Sequence, residues 1–191
     1  MVRTTSSRHR PRGIAPIEAA IAFALTGSLL AVAVPAFVRE VHSSRLVEPI
    51  DGVGRLGAAA VAYGHEHAKA ASGPGGARSP VFPPSAPMNP SAPPRGRCEA
   101  DPPEAWDGPT WVALGFRPVP AGTPHCFAFA FDSTAGASGA TPSPSTFRAH
   151  AHGDLDGDGI PSTFEVTGRF VEGDPRGPVL DPGMFVDAET E

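Results

Sequence analysis

The residues best suited to chemistry lie late in the chain, in Asp154-Leu155-Asp156-Gly157-Asp158-Gly159. Oxygen donors at alternate positions, with glycine at the sixth, let a tight loop wrap a hard cation. Counting on from Asp154, Ile160 stands seventh, where a main-chain carbonyl serves, and Ser162 and Glu165 stand ninth and twelfth. That completes the ligand pattern of an EF-hand loop, and the ion it would take is calcium. The flanks are not those of an EF-hand: both alternate as strands do, and Pro161 sits inside the loop. Asp154, Asp156, Asp158, Ile160, Ser162 and Glu165 therefore read in two ways. They form a calcium-binding loop in a β context, or an Asp/Gly hairpin that holds no metal, since Asp-Gly steps are strong turn signals.

The histidines support less. His65-Glu66-His67 lacks the four-residue spacing of a zinc-protease helix, and residues two apart on a helix point to different faces. His150 and His152 share one strand face beside the acidic loop; they read first as a solvated polar face and second as a zinc site. No local Ser/His/Asp or Cys/His arrangement stands out, nor does a phosphate-binding glycine loop. The expectation is a protein that is not an enzyme.

These groups have to be positioned, and the longest positioning element starts at the other end of the chain. Ile14 to Val38 contains one charged residue, Glu18, among apolar and small residues. As a helix rising 1.5 Å per residue it can cross a bilayer core of about 30 Å. A carboxylate inside such a stretch costs at least ~2.5 kcal/mol and calls for a partner. The preceding residues hold Arg3, Arg8, Arg10 and Arg12 and no acid, so this flank is expected to stay cytoplasmic, with the rest outside.

Arg12-Gly13-Ile14-Ala15-Pro16-Ile17-Glu18 resembles the processing motif of type IV pilin precursors and their secretion-system relatives. Gly13, Ile17 and Glu18 match it, and Pro35 stands where many pilins carry a helix-kinking proline. Ile14 replaces the usual Phe and Pro16 the usual Leu; proline is acceptable in the first turn of a helix. The resemblance implies cleavage by a prepilin peptidase between Gly13 and Ile14, methylation of the new amine, and pairing of Glu18 with the Ile14 ammonium of a neighbouring subunit. It implies copies of itself or other pilins as partners, with an inner-membrane assembly platform. The precursor would sit in the bacterial inner membrane and the assembled product in a periplasmic or extracellular filament. Within the family the alternative is a pseudopilin or minor pilin of a type II secretion-like system. Outside it, the alternative is a membrane-anchored or secreted calcium-binding module that does not polymerise. An ordinary secretory signal, cut after Ala31-Val32-Ala33, is the plain competitor, and Glu18 and the length of the apolar run count against it.

Loss of the leader takes the formal charge from −5 to −9, which argues against nucleic acid as the main partner. With 22 Gly and 24 Pro in 191 residues, the packed core is expected to be modest. The expected divisions are a cleaved leader (1–13), a membrane or filament-core helix (14–38), its amphipathic continuation (39–71), a Pro/Gly-rich loop (72–96) and a globular head (97–191). The helix over 14–71 should kink at Pro35 and break near Pro49, with Gly52, Gly54 and Gly57 weakening it further. In the head, Trp111–Phe116 reads as one helical turn stopped by Gly115. Cys126–Asp132, Thr146–His152 and Ser162–Gly168 read as strands. The fold class is α+β and pilin-like: a long kinked helix packed on an antiparallel sheet of about three strands. The order Trp-x-x-Leu-Gly-Phe, aromatic strand, Asp/Gly loop and Ser-Thr-Phe also resembles some bacterial pilin-like heads. In an exported chain the two cysteines, Cys98 and Cys126, read as a disulfide.

Overall fold

A computed structural model describes residues 15–71, 81–134 and 144–188. The Gly13–Ile14 junction lies outside the described residues. The chain divides into two compact units, Met1–Val41 and His42–Glu191.

The first unit is dominated by α1, whose full extent is Pro16–Arg45. Pro16 takes the first helical position, where its missing N–H costs nothing. Pro16–Val38 has a mean hydropathy of 2.2 with none of it buried, and is long and apolar enough to cross a membrane or to act as a signal sequence. Leu, Ile, Phe and Val side chains stand exposed along it, Phe23 at 80%. Pro35 lies inside α1 without ending it. The interruption comes at Leu46, between α1 and α2 (Val47–Ala71). Its cause is Pro49, whose ring conflicts with the carbonyl four residues back, that of Arg45, where α1 ends.

In the second unit α2 lies against a sheet of six strands, where the sequence suggests about three. They are β1 (Ala86–Asn89), β2 (Phe127–Ser133), β3 (Ser145–Gly153), β4 (Ser162–Phe170), β5 (Val179–Leu180) and β6 (Phe185–Asp187). The order is β1-β2-β3-β4-β5, with β6 also on β4, and every pairing is antiparallel. The three central strands are those the alternation predicts. β1 lies within the proline-rich stretch expected to be a loop, and β5 and β6 lie in the Pro/Gly-rich tail. All three are on the sheet's margins, where a short strand needs no alternation and a proline such as Pro87 can turn its missing N–H away from the ladder. The predicted helical turn is α3 (Pro109–Ala113), closed by Gly115 at φ +57°, with Trp111 and Leu114 buried.

The core joins Val53, Leu56 and Ala60 of α2 to Phe127, Phe129, Phe131, Phe147, Phe164 and Val166. Its closeness depends on glycine. A Cβ on Gly52 would lie 2.5 Å from the Phe129 ring, and one on Gly57 2.8 Å from Val166. These residues, which weaken a helix in isolation, are the points at which α2 touches the sheet. Within the sheet Phe127 faces Gly153 and Phe147 faces Gly168 in register, each ring covering its glycine. Opposite this buried side, Arg148, His150, His152 and Glu165 occupy the outer face of β3 and β4.

Candidate functional site

Glu18 is the third residue of α1, and its carboxylate accepts the Ala15 N–H at 2.9 Å. This is half of a capping box, in which a third-position Glu satisfies an orphan N–H at the helix start. The acid therefore has a local partner in the chain itself. Ile14 lies outside the described residues, so the structure does not address the expected pairing with its amine.

The acidic loop connects β3 to β4. Asp154, Asp156 and Asp158 bring a carboxylate oxygen each within 4.8 Å of one another. Asp154 is buried and its carboxylate accepts the N–H groups of Gly157 and Gly159 at 2.8 and 3.1 Å. Asp156 accepts from Asp158 N–H at 3.0 Å, and Asp158 from Ile160 N–H at 2.7 Å. Gly157 and Gly159 supply the left-handed backbone, at φ +82° and +94°, that this winding requires. The loop is tied to the Arg95–Gly96 segment: Gly96 N–H donates to the Asp154 carbonyl at 2.7 Å, and the Arg95 guanidinium lies 3.9 Å from the Asp154 carboxylate. Three converging carboxylates form a donor set that suits a hard cation. The remaining predicted ligands are placed differently. Ser162 donates its hydroxyl to the Gly153 carbonyl at 3.1 Å, and Glu165 stands on the outer sheet face, 3.6 Å from Arg148. Ile160 follows the three acids at the exposed tip. The loop so placed brings together three of the six EF-hand positions.

On the outer face a polar chain crosses three strands. Asp132 Oδ2, on β2, accepts Nε–H and Nη2–H of Arg148 at 3.1 and 2.6 Å and lies 3.2 Å from His150 Nε2. His150 Nδ1 lies 2.9 Å from His152 Nε2, and His152 Nδ1 lies 3.0 Å from Thr163 Oγ1. Burial lowers the pKa of His150, with the nearby Arg148 charge acting in the same direction. Burial and then the charge of His150 lower that of His152. Burial pushes the Asp132 carboxyl up, but hydrogen bonding from Arg148 and the charges of His150 and Arg148 together bring it net below the ordinary value.

Sequence reasoning missed a third constellation, at the edge of the core. Glu48, in the first turn of α2, accepts the Cys126 N–H at 3.0 Å and the Phe127 N–H at 3.1 Å. Its carboxyl pKa is raised by burial, against the lowering effect of those bonds and of His125. His125 is fully buried, 2.6 Å from Asp101 through Nε2 and 2.8 Å from the Phe127 carbonyl through Nδ1. Asp101 also accepts the Trp106 indole N–H at 2.8 Å. The Cys98–Cys126 disulfide adjoins this network. The one signal available in the sequence was an acid at a helix start, which reads as ordinary surface charge.

Compared with family models, curated proteins and solved structures, the chain matches none.

Proposed function

We propose that this chain is the precursor of a structural subunit of a type IV pilus-like filament, processed between Gly13 and Ile14 and assembled through α1. The observation that carries the reading is α1 itself: Pro16–Val38 is apolar throughout and unburied, with a single acid at its start. Such a surface needs lipid or other apolar helices around it. The proposed route supplies each in turn, the inner membrane holding the precursor and neighbouring helices covering α1 after assembly. Glu18 meets the Ile14 ammonium of a neighbour, and the two opposite charges neutralise each other and set the axial register. The second unit is the outward head, and Asp154, Asp156 and Asp158 are the residues that would hold calcium there. This is a structural role rather than a catalytic one.

The capping bond from Ala15 N–H offers a competing reason for Glu18, and one substitution separates the two. Glu18→Gln keeps an acceptor for Ala15 N–H and removes the charge. In the native envelope we expect the mature protein to start at Ile14 with an added methyl, and Glu18→Gln to insert normally but to fail to enter filaments. A chain starting after Ala33, or one still beginning at Met1, would refute the processing. Filament incorporation of Glu18→Gln at the wild-type level would leave only the capping role.

A further inference from the structure

We infer that His125 and Asp101 form a proton-operated latch, closed by one trapped proton, that holds the segment from Glu99 to Thr123 against the start of β2. The acidic loop and the outer sheet face play no part in it, and the inference stands apart from the filament reading.

The first support is a count of protons. His125 is 1% exposed, and each of its ring nitrogens faces an acceptor. Nδ1 lies 2.8 Å from the Phe127 carbonyl, and Nε2 lies 2.6 Å from Asp101 Oδ2. A carbonyl only accepts, so Nδ1 carries a hydrogen. A neutral imidazole would then turn a bare lone pair at Nε2 toward a carboxylate oxygen, which offers lone pairs too. Oδ2 also accepts the Trp106 indole N–H at 2.8 Å, and an indole only donates. The 2.6 Å contact therefore needs a second hydrogen, between ring and carboxylate. It rests on the ring, because imidazole is ordinarily the stronger base, by about 2.6 units. In the closed network His125 is an imidazolium.

The second support is the charge around the ring. Glu48 reaches in from α2, its Oε1 3.9 Å from Nδ1, while Asp101 holds the opposite nitrogen. A neutral ring would leave two carboxylates facing each other across it, and an imidazolium between them offsets both. The other charged groups nearby, among the described residues, are turned elsewhere. Arg45 acts on Glu48, Arg117 donates to the Pro103 carbonyl, and Glu99 pairs with Arg97.

The third support is mechanical. The His125 backbone exchanges two hydrogen bonds with Glu99, at 2.9 and 3.0 Å, and Cys98–Cys126 joins the ends of the segment. Trp106 is buried, bonded to Asp101 and packed edge-on against Trp111, with ring centroids 5.0 Å apart. Loss of the proton would oppose two sets of lone pairs at 2.6 Å, and Asp101 then takes Trp106 away from the core. The disulfide keeps the released segment tethered, so the latch can close again. A cleft of about 10 Å³ beside Asp101, Arg117 and Thr123 has room for about one water, and through it the proton reaches solvent.

The test follows stability and tryptophan emission of the full-length chain in detergent as pH rises from 7.5 to 9. In this window an unfolded His is neutral and Asp ionised, so the closed network binds one proton more than the unfolded chain. The unfolding equilibrium constant should rise tenfold per pH unit in the wild type. His125→Gln still donates to Asp101 and does not titrate, so its constant should not follow that slope. Both tryptophans lie in the latched segment, and their native emission should shift red reversibly, while circular dichroism shows helix and sheet intact. A flat wild-type curve, the same slope in His125→Gln, or emission that stays put until the sheet itself melts overturns the latch. Should His125→Gln not fold, nitrogen NMR of the wild type decides. One imidazole that keeps both ring protons at pH 8 supports the trapped proton, and an all-neutral set of histidines overturns it.

Discussion

Glu48 shows how one side chain can join two distant parts of a chain. The first turn of a helix and the start of a strand each have N–H groups without regular partners, and here a carboxylate from the helix takes two of them from the strand, at Cys126 and Phe127. Each buried N–H left unpaired costs about 1–3 kcal/mol. Glu48→Ala should therefore destabilise the protein by about 2–4 kcal/mol, measured by denaturant unfolding. A loss below about 0.5 kcal/mol, the usual size of a surface change, would mean that water replaces the acid. The raised pKa of this carboxyl adds a prediction with a definite sign. As pH rises above the ordinary 4.5, the unfolded chain gives up its proton first, so the native state binds more protons and wild-type stability falls across that window. Glu48→Gln does not titrate. Its Tm relative to wild type should move in its favour between pH 4.5 and neutrality, whatever constant offset the change carries. A difference that stays flat, or moves the other way, would show that desolvation does not dominate at this acid.

At the scale of elements, α2 is organised by what its glycines permit. Gly52 and Gly54 are two residues apart, yet a Cβ on Gly52 would press 2.5 Å from the Phe129 ring, whereas one on Gly54 would meet nothing within 4 Å. Gly54→Ala should thus stabilise by about 0.5–1 kcal/mol through helix propensity. Gly52→Ala should destabilise by about 1–3 kcal/mol through overpacking. Opposite signs at two sites in one helix, read from thermal melts, are the expected outcome; equal signs would mean that α2 does not approach the sheet as described. The same contrast marks what was legible in the sequence. β2, β3 and β4 announced themselves because each buries one face, and alternation is the direct trace of that burial. β1, β5 and β6 are two to four residues long and left no period to read. The glycines of α2 were legible as weak helix formers and not as contacts, since the partner ring lies 77 positions away in the chain, at Phe129. The acidic loop was legible as a turn rich in carboxylates. That Glu165 would face Arg148 instead depended on which side of β4 it occupied.

For the whole molecule, the two units place opposite demands on solvent. His42–Glu191 has an apolar core of its own and a disulfide closing a separation of 28 residues. In the chain-entropy account such a bridge contributes about 3–4 kcal/mol, a large share of the 5–15 kcal/mol typical of a domain. The described part of Met1–Val41 is helix with its apolar side chains outward, and none of the described residues of that unit covers them. Water around such a surface costs roughly 25 cal/mol for each Å² of apolar area, so the free energy that drives association is concentrated in α1. A chain beginning at His42 should then be soluble without detergent, monomeric by analytical ultracentrifugation, and cooperative in its thermal melt. The full chain at the same concentration should associate until detergent is added. Cys98→Ser/Cys126→Ser in the shortened chain should lower its stability by about 3–4 kcal/mol while leaving it monomeric. If the shortened chain associates as strongly as the full one, the driving surface lies on His42–Glu191, and the proposed assembly through α1 is refuted. If it fails to fold although the disulfide forms, the core of the second unit is not self-sufficient, and the apolar helix carries a structural duty besides that of meeting lipid or its own kind.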